Sequence, residues 1–137
     1  MLKMLWSACR VCLGWMVGTA FGWFVGQWLQ DLLAPNLARP TVNDGRKVSE
    51  YLTSLPPLAH GARLLAMGLG IVLGTYLVRR MPGNQRNEAW VLTFLLAAGT
   101  VFDVFRVDHG PVLSIATVSL VLPCAWMGMA LASGQRP

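Results

Sequence analysis

From Val11 to Gln30 the chain runs for 20 residues without one charged side chain. At ~1.5 Å of rise per residue, a helix of that length spans ~30 Å, the thickness of a bilayer's hydrocarbon core. Such a segment can be buried on all sides within a large protein core, or it can lie in lipid. Size decides between the two. The chain has 137 residues, enough for one domain, and three further apolar blocks follow the first. A single small core cannot enclose four helices that are apolar all round. The composition agrees: 55% of residues are hydrophobic and 12% charged, against a usual charged share of about 25% in soluble domains. Six Trp and fourteen Gly fit the enrichment of Gly in membrane helices and of Trp at membrane interfaces. Lipid, rather than one soluble core, is the expected solvent for most of this chain.

The pattern places transmembrane helices over residues 5–31, 62–79, 89–105 and 111–132. Trp6 and Trp28 bracket the first about one bilayer apart, and Asp31 marks its exit. The second ends at Arg79-Arg80, with Arg63 near its start, where a long cationic side chain can snorkel outward. A polar hairpin, 81–88, leads to the third. That segment contains Asp103, one turn from Arg106 and expected to pair with it. The fourth contains Pro123, which membrane helices tolerate. No A-x-A-like cleavage site follows the first apolar run, so the first segment is expected to remain as an uncleaved helix.

Residues 34–60 form a polar excursion holding four of the eight prolines. Within it Val48, Tyr51, Leu52 and Leu55 fall at i, i+3, i+4 and i+7, Asn43 or Asp44 precedes them as a cap, and Pro56-Pro57 stops the run. This predicts a short amphipathic helix on the membrane surface. The expected fold class is therefore an all-α membrane protein: a single-domain four-transmembrane-helix bundle with a surface helix in its first outer loop.

Loop charges set the expected orientation. With both termini cytoplasmic, Lys3, Arg10, Arg79, Arg80, Arg86 and Arg136 lie inside, while Arg39, Arg46, Lys47, Arg63 and Arg106 lie outside. Of the acids, Glu88 alone is inside. The positive-inside rule then favours cytoplasmic N- and C-termini in a bacterial inner membrane. The net charge of +5 is distributed between apolar blocks and forms no patch for nucleic acid.

The strongest motif is one of packing. Gly14, Gly18, Gly22 and Gly26 recur every four residues in the first helix, and Ala62, Ala66, Gly70 and Gly74 do so in the second. Residues four apart share a helix face, so each helix carries a shallow groove that admits another backbone. The two grooves pack against each other within the chain, or at least one meets a second copy or a partner subunit.

Chemical signals are sparse. Cys9-x-x-Cys12 sits at the inner end of the first helix and Cys124 in the fourth. A membrane thiol oxidoreductase needs a reactive pair at the outer face and a second pair to pass electrons on, so these cysteines are expected as buried small apolar residues. His60 and His109, with Asp103 and Asp108, are the candidates for a metal or haem site near the outer surface. Their spacing matches no ligand pattern, and a solvated loop or a helix-capping network is the default. Intramembrane charge marks transport, yet the first and fourth segments have none in their interiors. No phosphate loop or nucleophile–base set is present.

Leu55-Pro56-Pro57 leading into Ala62, Gly70 and Gly74, then His109-Gly110-Pro111, then Leu122-Pro123-x-Ala125-x-x-Gly128, resembles a widespread group of small four-helix bacterial membrane proteins with no assigned activity. The likeness spans segments two to four. It implies fold and location alone. Members often carry an acidic or His-containing end to helix one and Pro-His-Pro before helix four. Here Asp31 and Asp108-His109-Gly110-Pro111 are approximate counterparts. The function expected from the whole sequence is a non-enzymatic accessory or structural subunit without a cofactor, a homo-oligomer or part of a larger membrane complex. A small transporter or channel, or a haem or metal protein, is the alternative.

Overall fold

The structure, a computed structural model, describes residues 1–37, 44–82, 85–107 and 110–134. Among them it has five helices: α1 (Leu2–Leu33), α2 (Gly45–Ser54), α3 (Pro57–Arg80), α4 (Gln85–Arg106) and α5 (Pro111–Ser133). Four of these, α1, α3, α4 and α5, are long and apolar enough to cross a membrane. The chain is an all-α multi-pass membrane protein.

Helix ends follow local chemistry. Asp44 caps α2, its carboxylate accepting the backbone N–H of Arg46 at 3.2 Å. Pro56-Pro57 both stops α2 and starts α3. Pro56 is extended, and Pro57 is the first residue of α3, where a missing N–H costs nothing. The second membrane helix therefore begins at Pro57 and not at Ala62, because the proline pair is an initiation signal as well as a stop. Gly110 adopts φ +76° ahead of Pro111, a left-handed conformation open to glycine at no steric cost. Nothing lies within 4 Å of a Cβ there, so backbone conformation is the reason for this glycine. α5 continues unbroken past Pro123.

α3 is the hub, packed against α1, α5 and α4. The main core is built from Val11, Ile71, Val78, Ala89, Leu92, Leu96, Val121, Ala125 and Met129. A second cluster lies under the surface helix. Leu52 and Leu55 are buried with Ala59 and Val107, and Val48 and Tyr51 pack against them beside Leu33, Ala34 and Leu37. The i, i+3, i+4, i+7 face of α2 thus closes one end of the bundle.

Large apolar side chains cover the outside, among them Trp15, Trp23, Phe24, Trp28, Phe94, Phe102, Ile115 and Trp126. In water this would be an aggregation hazard; against lipid it is the correct surface. The hydroxyls support the same solvent. Thr19 donates to the Trp15 carbonyl at 2.6 Å, Thr75 to Ile71 at 2.8 Å, Thr93 to Ala89 at 2.8 Å and Thr117 to Leu113 at 2.7 Å. Each polar group is satisfied within its own helix, as a medium without water requires.

Candidate functional site

Three places in the bundle hold residues whose positions bear on function. The first is the contact of α1 with α3. The helices run antiparallel, and each four-residue step up α1 meets a four-residue step down α3. A Cβ on Gly18 would stand 2.7 Å from the Gly70 carbonyl oxygen, and one on Gly74 would stand 2.7 Å from that of Gly14. A Cβ on Gly70 would collide with the Gly18 carbonyl, and one on Gly14 with the Val78 side chain. A Cβ on Gly22 would stand 3.2 Å from the Ala66 carbonyl oxygen, and one on Gly26 3.6 Å from the Ala66 methyl. Ala62 is half-buried and Ala66 fully buried. These residues face each other within one chain.

The sequence reading missed a second close approach, of α3 with α5. A Cβ on Gly128 would collide with the Thr75 hydroxyl and stand 2.5 Å from the Val72 carbonyl; one on Gly68 would meet Leu120 at 3.0 Å and Cys124 Sγ at 3.1 Å. Gly68 and Thr75 lie on the side of α3 away from Ala66, Gly70 and Gly74. The signal was Gly68 itself, which breaks the four-residue repeat and so belongs to another face.

The second place is the end of the bundle where α1 and α4 begin and α3 ends. Arg10 donates from Nη2 to Glu88 Oε1 at 2.6 Å and from Nη1 to the Pro82 carbonyl. The two side chains are only 15% and 5% exposed. Glu88 lies in the first turn of α4, where the helix dipole also favours a carboxylate. Arg10 Nε and Glu88 Oε2 are buried without a hydrogen-bond partner. Beside this pair an open groove of about 430 Å³ runs between α1 and α4, lined by Met4, Ser7, Ala8, Val11 and Cys12 on one wall and by Asn87, Glu88, Val91 and Leu95 on the other.

The third place is the opposite end. Asp103 was expected to pair along its own helix with Arg106; it reaches across to Arg63 of α3, Nη2 to Oδ2 at 3.9 Å. Arg63 is accordingly directed to a neighbouring helix rather than only outward. The pair lines a cavity of about 50 Å³ with Leu64, Met67, Thr100, Leu113 and Thr117. That volume holds a few water molecules, at ~10–15 Å³ each.

His60 is half-buried in the first turns of α3. His109 and Asp108 lie outside the described residues. Among the described residues no three His, Cys, Asp or Glu come together as a metal site. The three cysteines are free thiols. Cys9 and Cys12 are exposed and Cys124 half-buried, which corrects the expectation that all would be buried. α3 covers only the glycine face of α1, and both Cys9 and Cys12 fall outside that face.

No family model, no curated protein and no solved structure matches the chain.

Proposed function

We propose that this chain is a non-enzymatic structural or accessory subunit of a bacterial inner membrane, organised as a glycine zipper and assembled with copies of itself or with other membrane proteins. The observation that supports the structural part of this reading is the contact of α1 with α3; the assembly part rests on the aromatic face that this contact leaves exposed. Gly14, Gly18, Gly70 and Gly74 bring two backbones into direct contact, giving a stiff helix pair with little room for a solute. In lipid, backbone proximity and dispersion are the main forces available for such a pair. With its glycine face used inside the chain, α1 has Trp15, Trp23, Phe24 and Trp28 left exposed for a neighbour. Trp23 and Phe24 already meet edge to face at 6.5 Å between ring centroids, a geometry that suits aromatic packing.

The test is crosslinking in native membranes. A photoreactive amino acid at Trp23 is expected to trap a protein adduct of defined mass, whereas one at Phe94 on α4 serves as a lipid-facing comparison. Capture of lipid alone from Trp23 would overturn the subunit reading.

Orientation is proposed with cytoplasmic termini. Thr53, exposed on α2, is the reporter: Thr53→Cys is expected to react with an impermeant maleimide on intact cells. Protection of Thr53→Cys on intact cells, with labelling only after lysis, would reverse the topology.

A further inference from the structure

We propose that the groove between α1 and α4 is a binding site for one anionic glycerophospholipid, with an acyl chain lying along the groove and the phosphate at the end marked by Lys3 and Arg86. The proposal stands apart from the subunit reading, since it concerns a face not used by the contact of α1 with α3.

The groove is lined mainly by apolar side chains, and its charged and amide side chains are confined to the end where Met4 also lies. Met4, Ser7, Ala8, Val11 and Cys12 form one stripe of α1 at helical spacing, and Asn87, Glu88, Val91 and Leu95 form the facing stripe of α4. Ser7, Asn87 and Glu88 supply the polar end at the helix starts. Val11, Val91 and Leu95 supply the apolar end toward the middle of the bundle. It is an open surface groove of about 430 Å³, so an occupant would lie with one side against the surrounding lipid.

Charge selects the headgroup. Among the described residues, the end of the bundle where the groove opens carries Lys3, Arg10, Arg79, Arg80 and Arg86 against Glu88 alone, whereas the opposite end carries Arg46, Lys47, Arg63 and Arg106 against Asp31, Asp44, Glu50 and Asp103. Glu88 does not cancel the excess at the groove, because Arg10 already neutralises it at 2.6 Å. Lys3 directly precedes Met4 on one wall and Arg86 directly precedes Asn87 on the other, and both are exposed. Both lie at the same end of the bundle as the groove's polar residues, and basic pockets between membrane helices are known to recognise anionic headgroups.

A zwitterionic lipid of equal chain length fills the groove equally well but gains nothing from the cations. The experiment therefore uses native mass spectrometry of the intact protein in detergent, titrated with dioleoyl phosphatidylglycerol or dioleoyl phosphatidylcholine. Phosphatidylglycerol is expected to bind in a one-to-one complex, with an apparent affinity about tenfold or more above phosphatidylcholine. Each of Lys3→Gln and Arg86→Gln should lower phosphatidylglycerol binding about fivefold, the effect of one cation at a membrane surface. Ala8→Trp, at an exposed position on the groove wall, should reduce binding of both lipids. Val91→Trp tests the same point from the other wall should Ala8→Trp lose its helical circular dichroism. Equal binding of the two lipids by the unaltered protein would overturn the proposal. So would phosphatidylglycerol binding that survives both groove-filling variants. A dimer that those variants dissociate, with lipid binding unchanged, would assign the groove to a second copy of the chain and likewise overturn it.

Discussion

Replacing Gly70 with leucine is expected to destabilise the protein by about 3 kcal/mol, the upper end of the usual cost of overpacking. Even the alanine variant should lose about 1–3 kcal/mol, because its Cβ meets the Gly18 carbonyl oxygen and not a side chain that can rotate away. That carbonyl has little room to withdraw, since Gly18 is itself packed against the backbones of Gly70 and Gly74 in α3. The natural control is Gly99 in α4, where a Cβ would meet nothing within 4 Å. There alanine should be neutral or stabilising by up to about 1 kcal/mol, through better helix propensity. Unfolding in mixed micelles by SDS titration, followed by far-ultraviolet circular dichroism, measures both. Opposite signs for Gly70→Ala and Gly99→Ala are the expected result. Equal stabilities would mean that α1 and α3 do not meet through these backbones. Monomer stability that is unchanged while assembly is lost would place the contact between chains instead.

The second large effect lies at the ion pair of Arg10 and Glu88. Glu88→Leu alone should cost about 3–5 kcal/mol, because the Arg10 guanidinium, only 15% exposed, loses its charge partner. The double variant Arg10→Met/Glu88→Leu should recover most of that loss. A buried ion pair contributes little beyond what well-packed apolar side chains would, and the penalty comes from stranding one charge. The double-mutant cycle reads the coupling directly. Additive single-variant costs of under about 1 kcal/mol would show that Arg10 swings out to the lipid headgroups once Glu88 is gone, and that the pair does not fix α1 to α4.

The places where the sequence sufficed, and where it failed, share one physical division. The surface helix was legible because its information is local: Asp44 caps it, the apolar positions recur at helical spacing, and a proline pair ends it. Each of those acts within one or two turns of chain. The same proline pair was only half understood, since Pro57 belongs to the next helix. The glycine repeats announced two grooved helices, but their partners were open until the helices met.

The cysteines and the ion pairs were misjudged or missed for a different reason. Cys9 and Cys12 looked like core residues by type, yet whether a residue on an all-apolar helix is covered depends on which neighbour lies on that side. Asp103 looked self-sufficient with Arg106 one turn away, and the structure turns it to Arg63, 40 residues distant along the chain. Arg10 and Glu88 stood at the edges of two apolar blocks on the same side of the membrane, and nothing in either block said that the blocks were adjacent.

By itself, then, the sequence determined the solvent and the units: in a chain of 137 residues a run of 20 uncharged residues has lipid as its solvent, backbone groups there must bond within helices, and caps and prolines set where helices begin. Tertiary structure alone decided which faces are covered. In lipid an apolar residue is equally comfortable on either side of a helix, so hydrophobicity no longer distinguishes inside from outside. What breaks that symmetry is shape and pairing. Gly14, Gly18, Gly70 and Gly74 draw α1 onto one face of α3, Gly68 and Gly128 draw α5 onto the other, and Arg10 with Glu88 brings α4 beside α1.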